Sequence, residues 1–191
     1  MGAYRQESVE FKLGQSGNLD DSRNEKVEME VFEMLQPHEN IKEVLVKDYG
    51  GTRFPSWIGS PLFFNMLVLE ISNCTKCQIL SPLGQLSSLK DLTVEGIKSV
   101  GEEFYRDMSS SNLPFPSLET LKFENMSQWE VWYEAIKCCF RHLQNIEICY
   151  FPKLRRFSHR FPSLKRMFIN GCQQFEAHPR ILTLDSLKQS R

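Results

Sequence analysis

The 191-residue sequence predicts an α/β solenoid: a curved parallel sheet with one short strand per turn on its concave side, and irregular loops with short helices on its convex side. Three observations predict it. A pattern with apolar residues at positions 1, 4, 6 and 9, often with an apolar or sulfur-bearing residue at 12, occurs six times. Successive units begin 25, 23, 29, 25 and 21 residues apart. Within each unit the apolar residues at 4 and 6 alternate with the residues at 3, 5 and 7, which is the period of a strand with one buried face.

In chain order, Val9, Phe11 and Leu13 alternate as the strand of a partial first unit. The polar stretch 14–25 reads as a convex-side loop, and Ser22 with Glu25 resembles a capping box. Val27, Val31, Phe32 and Leu35 then recur at helical spacing and predict a convex-side helix packed on the core through that face. The six full units follow: Ile41, Val44, Val46, Tyr49; Met66, Leu69, Ile71, Cys74, Cys77; Leu89, Leu92, Val94, Ile97, Val100; Leu118, Leu121, Phe123, Met126, Trp129; Leu143, Ile146, Ile148, Phe151, Leu154; and Leu164, Met167, Ile169, Cys172, Phe175. Between them, Gly50-Gly51 and Pro55, Pro61, Pro82, Pro114, Pro116, Pro152 and Pro162 exclude long helices and favour turns and 3₁₀ pieces. Insertions are expected at Ser109 to Asn112 and at Tyr133 to Phe140.

One unit cannot bury its own apolar edge, so each stacks on its neighbours. Steps of this length are those of leucine-rich repeats. The expected organisation is a single domain of six to seven repeats: 1–40 a partial first repeat with the helix, 41–175 six repeats, and 176–191 a degenerate terminal segment where Ile181, Leu182, Leu184 and Leu187 form a partial unit.

A net charge of -1 gives no global attraction to nucleic acid or an anionic membrane, so neither is expected as a partner. No apolar run approaches the roughly 18 residues a membrane helix needs, and the start has no signal-peptide core. The expected location is the cytoplasm, with the nucleus as the other intracellular compartment. Six cysteines suggest disulfides at first sight, yet Cys74, Cys77 and Cys172 occupy inward columns and read as reduced core thiols. Neither Cys74-Thr75-Lys76-Cys77 nor the group Cys138, Cys139, His142 and Cys149 has the spacing of a metal site, and Cys149 falls on an outward strand position. His38, His142, His159 and His178 have no nucleophile and acid beside them in a motif, so no catalytic residue, metal or cofactor is expected.

The outward columns make the candidate site, because their side chains do not build the core and a curved sheet presents them together. They are Glu43, Leu45, Lys47; Val68, Glu70, Ser72; Asp91, Thr93, Glu95; Thr120, Lys122, Glu124; Asn145, Glu147; and Arg166, Phe168, Asn170. Their middle is acidic. The last turn is basic, with Lys153, Arg155, Arg156, Arg160, Lys165 and Arg166. Leu45, Val68 and Phe168, exposed among polar neighbours, are the expected binding anchors.

Residues outside the repeat columns carry a resemblance. Tyr49-Gly50-Gly51-Thr52-Arg53-Phe54-Pro55-Ser56-Trp57-Ile58, Leu80-Ser81-Pro82-Leu83-Gly84-Gln85-Leu86-Ser87-Ser88-Leu89-Lys90, Val100-Gly101-Glu102-Glu103-Phe104-Tyr105, Phe115-Pro116-Ser117-Leu118-Glu119-Thr120-Leu121 and Trp129-Glu130-Val131-Trp132 occur in this order. The chain thereby resembles the carboxy-terminal leucine-rich repeats of plant intracellular immune receptors of the coiled-coil, nucleotide-binding type. The phosphate loop of their switch module, Gly-x-x-x-x-Gly-Lys-Ser/Thr, is not found in this sequence, nor is their amino-terminal coiled coil. The resemblance implies a non-catalytic module that binds a pathogen effector or a guarded host protein, or restrains a nucleotide-binding domain in cis or in trans. The weighed alternatives are a repeat-type substrate adaptor for ubiquitin ligation and a receptor fragment without function of its own.

Overall fold

Every predicted unit forms one five-residue strand. The computed structural model describes residues 7–13, 21–78, 80–105, 112–132, 139–157, 160–175 and 188–190. Strands β2 (Glu43–Lys47), β3 (Val68–Ser72), β4 (Asp91–Glu95), β5 (Thr120–Glu124), β7 (Asn145–Cys149) and β9 (Arg166–Asn170) are the six expected ones. β1 (Ser8–Lys12), built on the Val9 and Phe11 alternation, pairs with β2, and β10 (Lys188–Ser190) pairs with β9. The result is one eight-stranded, all-parallel sheet in the order β1-β2-β3-β4-β5-β7-β9-β10. Among the described residues no helix is long and apolar enough to cross a membrane.

The register keeps the columns aligned. Column 4 runs through Val44, Leu69, Leu92, Leu121, Ile146 and Met167, and column 6 through Val46, Ile71, Val94, Phe123, Ile148 and Ile169. All twelve are buried in one continuous core. Removing that much aliphatic surface from water is the main drive for stacking one turn on the next.

What turns the chain out of each strand is a residue at position 8 in the left-handed region. Asp48 (φ 57), Asn73 (φ 55), Gly96 (φ 75), Asn125 (φ 55), Tyr150 (φ 60) and Gly171 (φ 66) occupy it in the six units. Asn, Asp and Gly tolerate this conformation, and Tyr150 is the departure. The Asn73 amide donates to Asp48 at 2.6 Å and that of Asn125 to Glu95 at 3.1 Å, so the turn residues cross-link neighbouring repeats.

The convex side carries helix α1 (Asp21–Met34), 3₁₀ turns at Leu83–Gln85 and Glu102–Phe104, and a two-stranded parallel ribbon of β6 (Val131–Trp132) and β8 (Arg156–Phe157). The ribbon was not expected; the sequence reads there only as loops. Ser22 lies inside α1 rather than capping it. The helix also presents a different face from the one expected. Phe32 is fully buried, but Val27, Val31 and Leu35 are 53%, 43% and 43% exposed. Docking uses a neighbouring face: Glu28 accepts from the Gly50 amide at 2.8 Å, Glu33 from the Ser56 amide at 2.9 Å and from its hydroxyl, and the Phe32 carbonyl from Trp57 Nε1 at 3.1 Å. The buried Trp57 indole N–H needs an acceptor, and the Phe32 carbonyl supplies it. Of the expected insertions, 109–111 and 133–138 lie outside the described residues, as do 181–187 with the expected terminal leucines.

Candidate protein-binding face

The sheet register assembles the predicted site residues into three rows. One row is Glu43, Val68, Asp91, Thr120, Asn145 and Arg166; the next is Leu45, Glu70, Thr93, Lys122, Glu147 and Phe168. The third holds Lys47 beside Ser72, and Glu95 beside Glu124 with Cys149 and Asn170. With strands about 4.8 Å apart, residues in one row are side-chain neighbours.

Two expectations about this face change. Leu45, Val68 and Phe168 are half-buried rather than exposed; Leu45 stands between Glu10 and Glu70 in its row, Val68 between Glu43 and Asp91, and Phe168 next to Glu147. Cys149, in an outward row, is buried. Its thiol is pushed up by burial, with the Glu124 and Glu147 carboxylates adding to the effect.

The acidic side chains divide into two groups. Glu10 is bonded to Lys47 at 3.1 Å and Glu124 to Lys122 at 2.7 Å, and these pairs hold both lysines above their ordinary value. Glu43, Glu70, Asp91 and Glu147 form no ion pair with another described residue. The acids without an ion pair run along the face: Glu43, Glu70 and Asp91 stand around Leu45 and Val68, and Glu95 and Glu147 lie further along, with the Glu70 charge also acting on Lys47. Sequence alone treats every acid in the columns alike, because the lysine that neutralises one can come from the same strand or the adjacent one. At the far end Arg155, Lys153 and Lys165 contact Gln174, Gln128 and Gln144 respectively, which orders the expected basic turn.

None of Cys74, Cys77, Cys139, Cys149 and Cys172 is in a disulfide, and among the described residues no group of three or more His, Cys, Asp or Glu could hold a metal ion. Cys138, His159 and His178 lie outside the described residues. Burial pushes Cys74 from 9.0 up to about 12, with a bond to the Tyr49 backbone opposing and Cys77 reinforcing the rise. Burial also raises the Tyr49 phenol. A group with its folded pKa raised gives stability that is complete below the unfolded value and declines as pH rises toward the folded one. The unfolding free energy from urea titrations is thus expected to hold up to about pH 8.5 and to fall between 9 and 12, by about 1.4 kcal/mol per pH unit for each group titrating in the unfolded chain alone. Cys74→Ala should flatten the first part of that decline; an unchanged profile would contradict the assignment.

A parallel sheet with one strand per turn and this apolar column pattern defines a leucine-rich-repeat solenoid. Residues 6–97 match the family model described as R13L1/DRL21 LRRs. The chain is similar to the putative disease resistance RPP13-like protein 1 of Arabidopsis thaliana, 35% identical over 156 residues covering 77% of this chain and 13% of that protein. It is also similar to the putative disease resistance protein At3g14460 of Arabidopsis thaliana, 37% identical over 150 residues, 75% of this chain and 10% of that protein. The putative disease resistance protein RGA4 of Solanum bulbocastanum is 29% identical over 158 residues, 81% of this chain and 14% of that protein. The repeats are of the class carried by plant disease resistance proteins, and the chain corresponds to a small part of the length of these relatives. No solved structure is a significant match.

Proposed function

We propose that the outward face of the sheet is a non-catalytic protein-binding surface, used inside the cell in plant defense to recognise a pathogen-derived or guarded host protein, or to restrain a nucleotide-binding switch domain. The observation that carries it is the set of acids Glu43, Glu70 and Asp91, in no ion pair with another described residue, around half-buried Leu45 and Val68 in aligned rows. Apolar anchors supply affinity and the surrounding charge selects a basic partner and speeds encounter. The relatives' names support the defense context, which comes to this chain through the shared repeats.

The test is binding of a captured partner, or of a separately purified switch domain, to the chain and to its Glu43→Lys, Glu70→Lys, Asp91→Lys triple variant. Binding should weaken about tenfold or more at low salt and converge with the wild type at high salt. Glu124→Lys, in which an already paired acid is replaced, should have the smaller effect. Equal binding by the triple variant at low salt would refute the assignment.

A further inference from the structure

In the six full units the residue that turns the chain after the strand is Asp, Asn or Gly five times, and the sixth is Tyr150, at φ 60. A bulky side chain in the left-handed region strains the backbone and persists only where something holds it there. For Phe115, at φ 54, that something is visible: the ring is fully buried, with centroids 4.9 Å from Phe104 and 5.4 Å from Phe140. Tyr150 is 51% exposed, and its side chain forms no ring contact and no hydrogen bond with another described residue. The next unit makes room for it. A methyl group added at Gly171 would lie 2.6 Å from Tyr150 Cδ1 and 3.2 Å from Cε1, so the ring rests against bare backbone that any other residue would cover. A residue that fits the turn has thus given way to a half-exposed ring on the strand-exit rim, one position beyond Cys149 of the candidate face.

We propose that Tyr150 is an anchor of the binding face and takes an arginine of the partner protein, its guanidinium stacked on the ring. The charges around the ring favour a cation. Glu124 is the register partner of Cys149, Glu95 is the partner of Glu124, and Glu147 lies on β7 itself. Glu95 and Glu147 form no ion pair with another described residue, while Lys122 and Lys153, basic residues close by in register and in sequence, are bonded to Glu124 and Gln128. An aromatic ring attracts a cation through its quadrupole, and a planar guanidinium can stack on it while still donating to carboxylates. Tyrosine is also among the residues that dominate interface energy. The inference rests on the reading of the outward face as a surface for a basic protein; it extends that face to the exit rim and names the side chain recognised there.

The test is the affinity of the chain for a capped hexapeptide of alternating arginine and glycine, and for its lysine counterpart, by calorimetry at low salt. Tyr150→Asn installs the residue that Asn73 and Asn125 provide in two other units. It should leave the urea midpoint unchanged or raise it, and weaken binding of the arginine peptide about fivefold or more. Tyr150→Phe keeps the ring and should bind within about twofold of the wild type. The lysine peptide should bind the wild type about threefold more weakly than the arginine peptide, a difference that Tyr150→Asn should abolish. Arginine-peptide binding that is absent in the wild type or unchanged in Tyr150→Asn overturns the inference, and so does a lowered urea midpoint, which would make the ring a structural part. If the Glu43→Lys, Glu70→Lys, Asp91→Lys variant loses the peptide while Tyr150→Asn keeps it, the anchor falls and the reading of the face stands.

Discussion

Phe32→Ala is expected to cost about 3–5 kcal/mol, although it lies on a helix with most of its apolar residues in water. The ring is fully buried, with centroids 5.2 Å from Phe11, 4.9 Å from Tyr49 and 5.4 Å from Trp57. It joins the helix, the first strand and the turn 49–58, so truncation leaves a cavity bordered by three aromatic rings. The loss should be local, because each repeat touches only its neighbours. Hydrogen exchange of 25–34 and 49–58 should accelerate while β5, β7 and β9 keep their protection. Val31→Ala, one residue away and 43% exposed, should change stability by less than about 0.5 kcal/mol. Equal losses from the two substitutions, in urea unfolding followed by tryptophan fluorescence, would show that the helix is not held by Phe32.

Gly84→Ala should be nearly as damaging, at about 3 kcal/mol, for a steric reason. A methyl group there would sit 1.9 Å from the Tyr105 carbonyl oxygen and 2.5 Å from Pro114 Cβ. Neither neighbour can give way easily: Tyr105 belongs to the aromatic cluster with Phe104, Phe115 and Phe140, and the Phe115 amide donates to the Gly84 carbonyl at 2.8 Å. The glycine is needed so that the next repeat's connection can approach its backbone. Gly101→Ala is the matched comparison, since its added methyl would meet only the mobile carboxylate end of Glu103. It should cost less than about 0.5 kcal/mol, and a similar cost at both sites, read from urea midpoints, would contradict the account.

These two sites show what could be read from residue order. The strands were legible because columns 4 and 6 report burial directly: Leu92 and Val94 can only face one way once Asp91, Thr93 and Glu95 face the other. The three rows of the candidate site follow from the same alternation. The helix was legible in extent and not in orientation. Val27, Val31 and Leu35 look like a buried stripe, yet the docking face is chosen by Glu28 and Glu33 reaching the Gly50 and Ser56 amides, 22 and 23 residues further on. No local period carries that information. The charge of the site was likewise hidden, because Lys47 pairs with an acid on β1 and Lys122 with one on its own strand, leaving Glu43, Glu70, Asp91, Glu95 and Glu147 outside any ion pair with a described residue.

The left-handed residue after each strand has a consequence for how such a face can change. It resets the chain direction at the same point in each of the six full units, immediately after residue 7, whatever follows. Between that point and the next strand the connection can lengthen or shorten, as the steps of 21 to 29 residues show, without displacing any rung of the ladder. Chain length is thus uncoupled from rung position. Duplication, loss or insertion of convex material can accumulate while the outward side chains stay on a fixed grid, and a single outward substitution alters one grid point alone.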